Sequence, residues 1–174
     1  MARYIALDIE TTGLDVDRDE ITEIAWVDQD MQSRHFIVEH LQSPNTWVAE
    51  HTDYLSRIKP YEHKISPITM LEELRVACAF DEPTHIVGAN PAFDDHFLRH
   101  AFQRYLFASP PYDYHLIDIE AMAFQAFSLK DMPHLKDMRT LLGLPGENTA
   151  PHSALADAEE AMLIFQALRS LKNG

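Results

Sequence analysis

The chain has 174 residues, of which 46% are hydrophobic and 24% charged, and its formal net charge at pH 7 is −14. These values are typical of a globular protein, and we expect residues 1–174 to form a single domain. The negative charge excludes a surface that coats nucleic acid through many Lys and Arg contacts with phosphate. The single cysteine, Cys78, excludes an internal disulfide, and the lack of a signal peptide or a membrane-length apolar run predicts a soluble, cytoplasmic protein.

The first predicted element is a strand that begins near Tyr4 and ends in two acids, Asp8 and Glu10. Successive side chains of a strand point to opposite faces, so Asp8 and Glu10 share one face. Two neighbouring carboxylates at the end of an apolar strand repel each other and lose hydration unless a cation or strong donors compensate. The pattern therefore indicates either a polar strand end with a salt bridge or part of a metal site.

The elements that follow predict an α/β fold with a mixed sheet. Strands over residues 20–28 and 32–40 form a hairpin, and the irregular stretch 41–67 has room only for short helices. Helices and strands then alternate. The predicted helices cover residues 66–80, 90–105, 119–127 and 134–142, the predicted strands 84–89 and 114–118, and a last helix runs from Ser153 almost to the C-terminus.

Two of the predicted helices carry an acid on their apolar face, Asp94 in the helix over 90–105 and Asp157 in the last helix. Buried carboxylates are rare without a partner, although each acid alone also fits a helix N-terminus, where the helix dipole favours negative charge. Together with Asp8 and Glu10 they would form an oxygen-only cluster. Such a cluster suits two ions of Mg²⁺ or Mn²⁺ rather than Zn²⁺.

His152 precedes the last helix and stands five residues before Asp157. A single histidine on a loop is often structural. Beside a bound cation, however, an imidazole that is neutral near pH 7 can accept a proton from water. His152 is therefore a candidate general base.

Three segments of the chain resemble the motifs of the DnaQ-like, DEDDh-type 3′–5′ exonucleases. They read DIETTG at 8–13, VGANPAFD at 87–94 and HSALAD at 152–157, in the order and at separations similar to those of the family. The resemblance implies the ribonuclease H-like fold, with a mixed five-stranded sheet and helices on both faces. It also implies a single exonuclease domain.

By this resemblance four acids bind two divalent cations, Mg²⁺ or Mn²⁺, and His152 acts as the general base. One cation would lower the pKa of the attacking water, and the other would stabilise the departing 3′-oxygen as nucleoside 5′-monophosphates are released. The four acids are Asp8, Glu10, Asp94 and Asp157.

The resemblance implies that the substrate is the 3′ end of single-stranded or frayed DNA, with an RNA 3′ end or a short oligoribonucleotide as the alternative. The residues expected to bind the terminal nucleotide are Thr11, Thr12, Leu14, Asn90 and Phe93. The stretch 41–67 does not align with the family. Three aromatic residues of this stretch, Trp47, Tyr54 and Tyr61, are further candidates for base contacts. For each of them, and for Phe93, packing in the core is the favoured role.

An alternative of another class is a protein that keeps this fold but binds nucleic acid or a polymerase without catalysis. The intact set of acids and His152 argue against it, because a binding module does not need them. We expect a DNA 3′ end as the main partner and no more than a transient contact with a polymerase. The oligomeric state is left open.

Overall fold

The computed structural model of the chain describes residues 2–52, 54–58, 63–145 and 152–171. A five-stranded sheet runs through these residues, and its strands are β1 (Arg3–Thr11), β2 (Ile21–Asp28), β3 (Ser33–Ile37), β4 (Thr84–Gly88) and β5 (Ile117–Asp118). The strand order in the sheet is β3-β2-β1-β4-β5. Strands β1 to β3 are antiparallel neighbours, whereas β4 is parallel to β1 and β5 is parallel to β4. The predicted mixed sheet is confirmed.

Seven helices lie in the described ranges, and none of them is both long and apolar enough to cross a bilayer. Helices α1 and α2 occupy the stretch in which only short helices were predicted. The bounds are α1 (Thr46–His51), α2 (Tyr54–Arg57), α3 (Pro67–Ala77), α4 (Pro91–Leu106), α5 (Ile119–Phe127), α6 (Leu135–Leu141) and α7 (Ala154–Leu171).

The last strand is shorter than predicted. The sequence pattern predicted a strand over residues 114–118, but β5 covers only Ile117–Asp118. The reason is local, because the Asp113 carboxylate accepts a hydrogen bond from the His115 amide at 2.8 Å. The turn that this hydrogen bond forms keeps the residues before Ile117 from pairing with β4.

The alternating side chains of β1 separate two cores. Ile5 and Leu7 are 1% exposed on the face that packs with residues of α3 and α4. Ala6 is fully buried on the other face, which packs with residues of α5 and α7. Helices therefore cover both faces of the sheet, as predicted.

The carboxyl end of β1 extends past its parallel neighbour. Pairing with β4 covers Arg3 to Ala6, whereas pairing with β2 continues to Thr11, with Glu10 opposite Glu23. The register then shifts between Glu10 and Thr11. The end of β1 is thus open on the β4 side, where other elements can approach its backbone.

Candidate active site

The carboxyl end of β1 meets the first turns of α4 and α7, and the predicted catalytic side chains collect there. Glu10, His152 and Asp157 each offer one ligand atom, and these three atoms lie within 4.8 Å of one another. Asp8, on the same face of β1 as Glu10, has Asp94 among its charged neighbours. The structure therefore brings together all five residues of the predicted catalytic set.

Asp94 reaches the site from the first turn of α4. The chain leaves β4 and turns at Asn90, which has a left-handed φ of 53° and ψ of 52°, before Pro91 begins the helix. Asp94 is 4% exposed, and its Oδ1 accepts a hydrogen bond from the Ile9 amide at 2.9 Å. This bond ties the start of α4 directly to the open end of β1.

Asp157 lies in the first turn of α7 and holds the loop that carries His152. The Asp157 Oδ2 atom accepts a hydrogen bond from the His152 amide at 3.0 Å, and the Asp157 amide donates to the Ser153 carbonyl at 2.9 Å. His152 is exposed and has a left-handed φ of 61°. A candidate metal ligand thus also fixes the backbone of the candidate base.

Burial and like charge disfavour ionisation of two of these acids. Burial raises the pKa of Asp8 well above its ordinary value, and four nearby carboxylates add to the shift. Burial also raises the pKa of Asp94 to about 8, although a hydrogen bond from the main chain of β1 acts in the opposite direction. The four carboxylates near Asp8 are, in decreasing order of effect, Asp94, Glu10, Asp157 and Glu23.

This donor set fits a divalent cation. The site is built from carboxylate oxygens with one imidazole at its edge, and hard cations such as Mg²⁺ and Mn²⁺ prefer oxygen ligands. A cation held among the carboxylates would remove the repulsion that raises the pKa of Asp8. The arrangement can therefore concentrate positive charge at the open end of β1.

Sequence reasoning missed a fifth acid near the site, the buried Glu23 on β2. Its side chain is fully buried, it lies opposite Glu10, and its Oε1 atom lies 2.9 Å from His35 Nε2 and 3.1 Å from the Ala154 amide nitrogen. A signal was available, because Glu23 is the one charged residue in the apolar run over residues 21–27. A charge in such a run needs buried partners.

The turn after β1 holds the first of the predicted nucleotide-binding residues. Leu14 is 73% exposed and available for contact. Thr12 has no exposed surface, and its hydroxyl donates to Asp19 at 3.0 Å and accepts from the Glu20 amide at 3.0 Å. Thr11 is 6% exposed, and its hydroxyl donates to the Gly13 carbonyl. Leu14 is thus the most exposed of the three predicted contact residues in this turn.

The other predicted contacts divide between the core and the surface. Phe93 is half-buried and packs on Phe97, with ring centroids 5.0 Å apart, and Tyr54 is buried against His40. Core packing was also favoured for Trp47, and this prediction is wrong, because the side chain is 53% exposed. Asn90 is exposed as well, and its side chain makes no capping hydrogen bond. Tyr61 lies outside the described residues.

We expect the metal-free protein to lose stability as the pH rises from about 5 to about 8. The pKa of Asp8 is raised from 3.8 and that of Asp94 is raised to about 8, so in this window the folded state keeps protons that the unfolded state releases. The free energy of unfolding must then fall with pH. Thermal unfolding in EDTA should show a Tm that falls by several degrees, and Asp94→Asn should flatten the dependence. A Tm that rises across this window would contradict the assignment.

The fold is similar to that of several solved structures of Exonuclease I. Exonuclease I from Methylocaldum szegediense has a TM-score of 0.74 at 20% identity, over 99% of this chain and 41% of that chain. E. coli Exonuclease I in complex with an oligonucleotide has a TM-score of 0.70 at 16% identity, over 99% and 42%. The zinc-ion-bound form of the E. coli Exonuclease I complex with single-stranded DNA has a TM-score of 0.70 at 18% identity, over 99% and 41%. This chain spans less than half the length of these proteins.

The family comparison extends over most of the chain. No curated protein matches the chain significantly in sequence. Residues 5–165 match the model of the RNase_T family, which is described as an exonuclease. This match and the observed fold confirm the family that the three sequence motifs predicted. The chain therefore belongs to the RNase_T exonuclease family, the DnaQ-like 3′–5′ exonucleases of the ribonuclease H-like superfamily.

Proposed function

We propose that this chain hydrolyses phosphodiester bonds at the 3′ end of single-stranded or frayed DNA and releases nucleoside 5′-monophosphates by two-metal-ion chemistry. The observation that supports this proposal is the convergence of Glu10, His152 and Asp157, with ligand atoms within 4.8 Å of one another, beside the half-buried Asp8 and the buried Asp94. Exonuclease I, which shares the fold, has been crystallised with single-stranded DNA. That substrate class is the one we propose here.

The four acids would hold the cations, and the oxygen-only character of the set favours Mg²⁺ or Mn²⁺. When bound, these ions would supply Lewis-acid chemistry, which activates water and stabilises negative charge on the departing oxygen. Hydrogen bonds within the protein orient two of these acids, since the Asp94 carboxylate accepts from the Ile9 amide and the Asp157 carboxylate accepts from the His152 amide.

His152 would accept the proton of the attacking water. Its side chain is exposed at the edge of the carboxylate cluster, and its backbone is fixed by Asp157. An exposed imidazole can pass the proton on to solvent after each turnover. The residue therefore combines a fixed position with access to bulk water.

Exposed apolar side chains beside the site would bind the end of the strand. The Asn45 amide donates to the Thr12 carbonyl at 2.8 Å, so helix α1 begins against the turn that carries Leu14. On α1 the exposed Trp47 ring stacks on His51, with centroids 4.9 Å apart and planes 9° apart. A flat aromatic pair at this position suits stacking with unpaired bases.

Trp47→Ala is expected to raise the KM for a single-stranded oligonucleotide about 5- to 150-fold with little change in kcat, because stacking of one base contributes about 1–3 kcal/mol. Steady-state kinetics on one labelled strand measure both constants. Tyr114→Ala is the matched control, because Tyr114 is also an exposed aromatic residue, at 72%, but precedes β5. An unchanged KM for Trp47→Ala would remove Trp47 from the substrate site.

The proposed function is tested by digestion of a 5′-labelled strand. We expect products that shorten one nucleotide at a time from the 3′ end, no cleavage in EDTA, and recovery with Mg²⁺ or Mn²⁺. Cleavage rates on matched DNA and RNA strands, single and double, distinguish the two substrate classes. Faster cleavage of RNA would show that RNA, and not DNA, is the substrate. Recovery best with Zn²⁺ alone would contradict the choice of metal, and no cleavage of any strand would overturn the proposal.

A further inference from the structure

Glu23 is a buried carboxylate near Asp8 that has no role in the proposed chemistry. Glu23 is fully buried in β2, and all but one residue of this strand are buried. It lies opposite Glu10 in the β1–β2 ladder, so the two side chains are on the same face of the sheet. A buried negative charge beside other acids is unfavourable unless donors hold it. The donors that hold Glu23 therefore matter.

One oxygen atom of Glu23 links its own strand, β2, to β3 and to the start of α7. Its Oε1 lies 2.9 Å from Nε2 of His35 on β3, 3.1 Å from the amide of Ala154 and 3.4 Å from the hydroxyl of Ser153. Ala154 is the first residue of α7, and the first amides of a helix have no acceptor within the helix. A carboxylate at this end also interacts favourably with the helix dipole. Glu23 thus caps α7 from a neighbouring strand.

We propose that Glu23 is a positioning residue that holds the start of α7, and with it His152 and Asp157, in place against Glu10. The Ala154 amide that Glu23 binds follows His152 by two residues, and the His152 amide is bonded to Asp157. A displacement of about 1 Å in an active site can lower the rate about 100-fold. The role of His152 in this inference rests on the proposed function, whereas the anchoring of α7 does not.

Two variants of Glu23 test the inference. Glu23→Met keeps the side-chain volume but removes every acceptor, and Glu23→Gln keeps a carbonyl oxygen that can accept the same hydrogen bonds. Both remove a buried charge next to Asp8, so both are expected to fold. We expect Glu23→Met to lower kcat about 30- to 100-fold with KM within about threefold of wild type. Glu23→Gln should restore kcat to within about fivefold of wild type.

Amide hydrogen exchange supplies a readout that does not depend on activity. The Ala154 amide should exchange at least about tenfold faster in Glu23→Met than in wild type, and Glu23→Gln should keep most of the protection. If the wild-type protein cleaves no strand, the proposed function fails, but the exchange of Ala154 still tests the anchor. If the wild type is active and Glu23→Met keeps its kcat, the inference alone fails.

Glu160→Ala is the matched control on the same helix. Glu160 is also a buried acid, 3% exposed. It accepts a hydrogen bond at 2.7 Å from Nε of Arg139, which is on α6 and away from the start of α7. The Glu160→Ala variant should have a lower Tm and an unchanged kcat. An equal loss of kcat in Glu160→Ala and Glu23→Met would mean that any loosening of α7 lowers the rate, and it would overturn the inference. A Glu23→Gln variant that is as inactive as Glu23→Met would also overturn it.

Discussion

Asp8→Asn is expected to lower the rate of 3′-end cleavage by about 1,000-fold or more, because a metal site contributes several kcal/mol to the transition state and each 1.36 kcal/mol is about tenfold in rate. Asp8 is half-buried, with four other carboxylates near enough to raise its pKa. Asparagine keeps the shape of the side chain but removes the negative charge that a cation requires. The loss should therefore appear in kcat at saturating metal.

The same substitution should make the metal-free protein more stable. Removing one negative charge relieves the repulsion from Asp94 and the other acids, so we expect a higher Tm in EDTA at pH 8. Single-turnover cleavage and thermal unfolding measure the two effects. Asp28→Asn is the matched control, because Asp28 lies opposite Ile5 near the other end of β1. Near-full activity of Asp8→Asn would show that the site assignment is wrong.

His152→Gln is expected to lower kcat by about 100- to 10,000-fold, the usual contribution of a positioned general base. Binding of a DNA 3′ end should change little, since His152 is at the edge of the acid cluster, which keeps its own charge. Rapid-quench cleavage gives the chemical rate. Fluorescence anisotropy with a labelled strand in Ca²⁺ gives the affinity for the end.

A second histidine separates the role of His152 from that of any imidazole. His100 is half-exposed on α4, and its Nε2 lies 3.9 Å from Asp17. His100→Gln should leave both rate and affinity unchanged. If His152→Gln loses end binding as much as it loses rate, His152 is a binding residue and the base must be sought elsewhere.

Much of the fold could be predicted because it depends on periodicity within short segments. The predicted helix over 119–127 is α5 (Ile119–Phe127) as observed, and the apolar run of β2 has the predicted strand structure. Strand β5 was overpredicted because one side chain, Asp113, binds the His115 amide and diverts the chain. Such a side-chain bond competes with the ladder and has no periodic signal.

The position of Trp47 shows another limit of sequence reasoning. An aromatic residue in an irregular stretch is compatible with either a core or a surface position, and composition does not separate the two. Helix α1 is six residues long and buries only Val48 among its residues. The adjacent Trp47 is exposed on α1, a helix whose preceding residue, Asn45, is hydrogen-bonded to Thr12.

The sequence by itself determined the faces of four acids, because strand and helix periods place Asp8 beside Glu10 and place Asp94 and Asp157 on apolar helix faces. Only the tertiary structure decided how Asp94 and Glu23 are held, since their partners are distant in the chain. The Asp94 carboxylate binds the Ile9 amide 85 residues away, and Glu23 binds the Ala154 amide 131 residues away. Hydrogen bonds of this kind depend on strand order and helix packing, for which local periodicity contains no information.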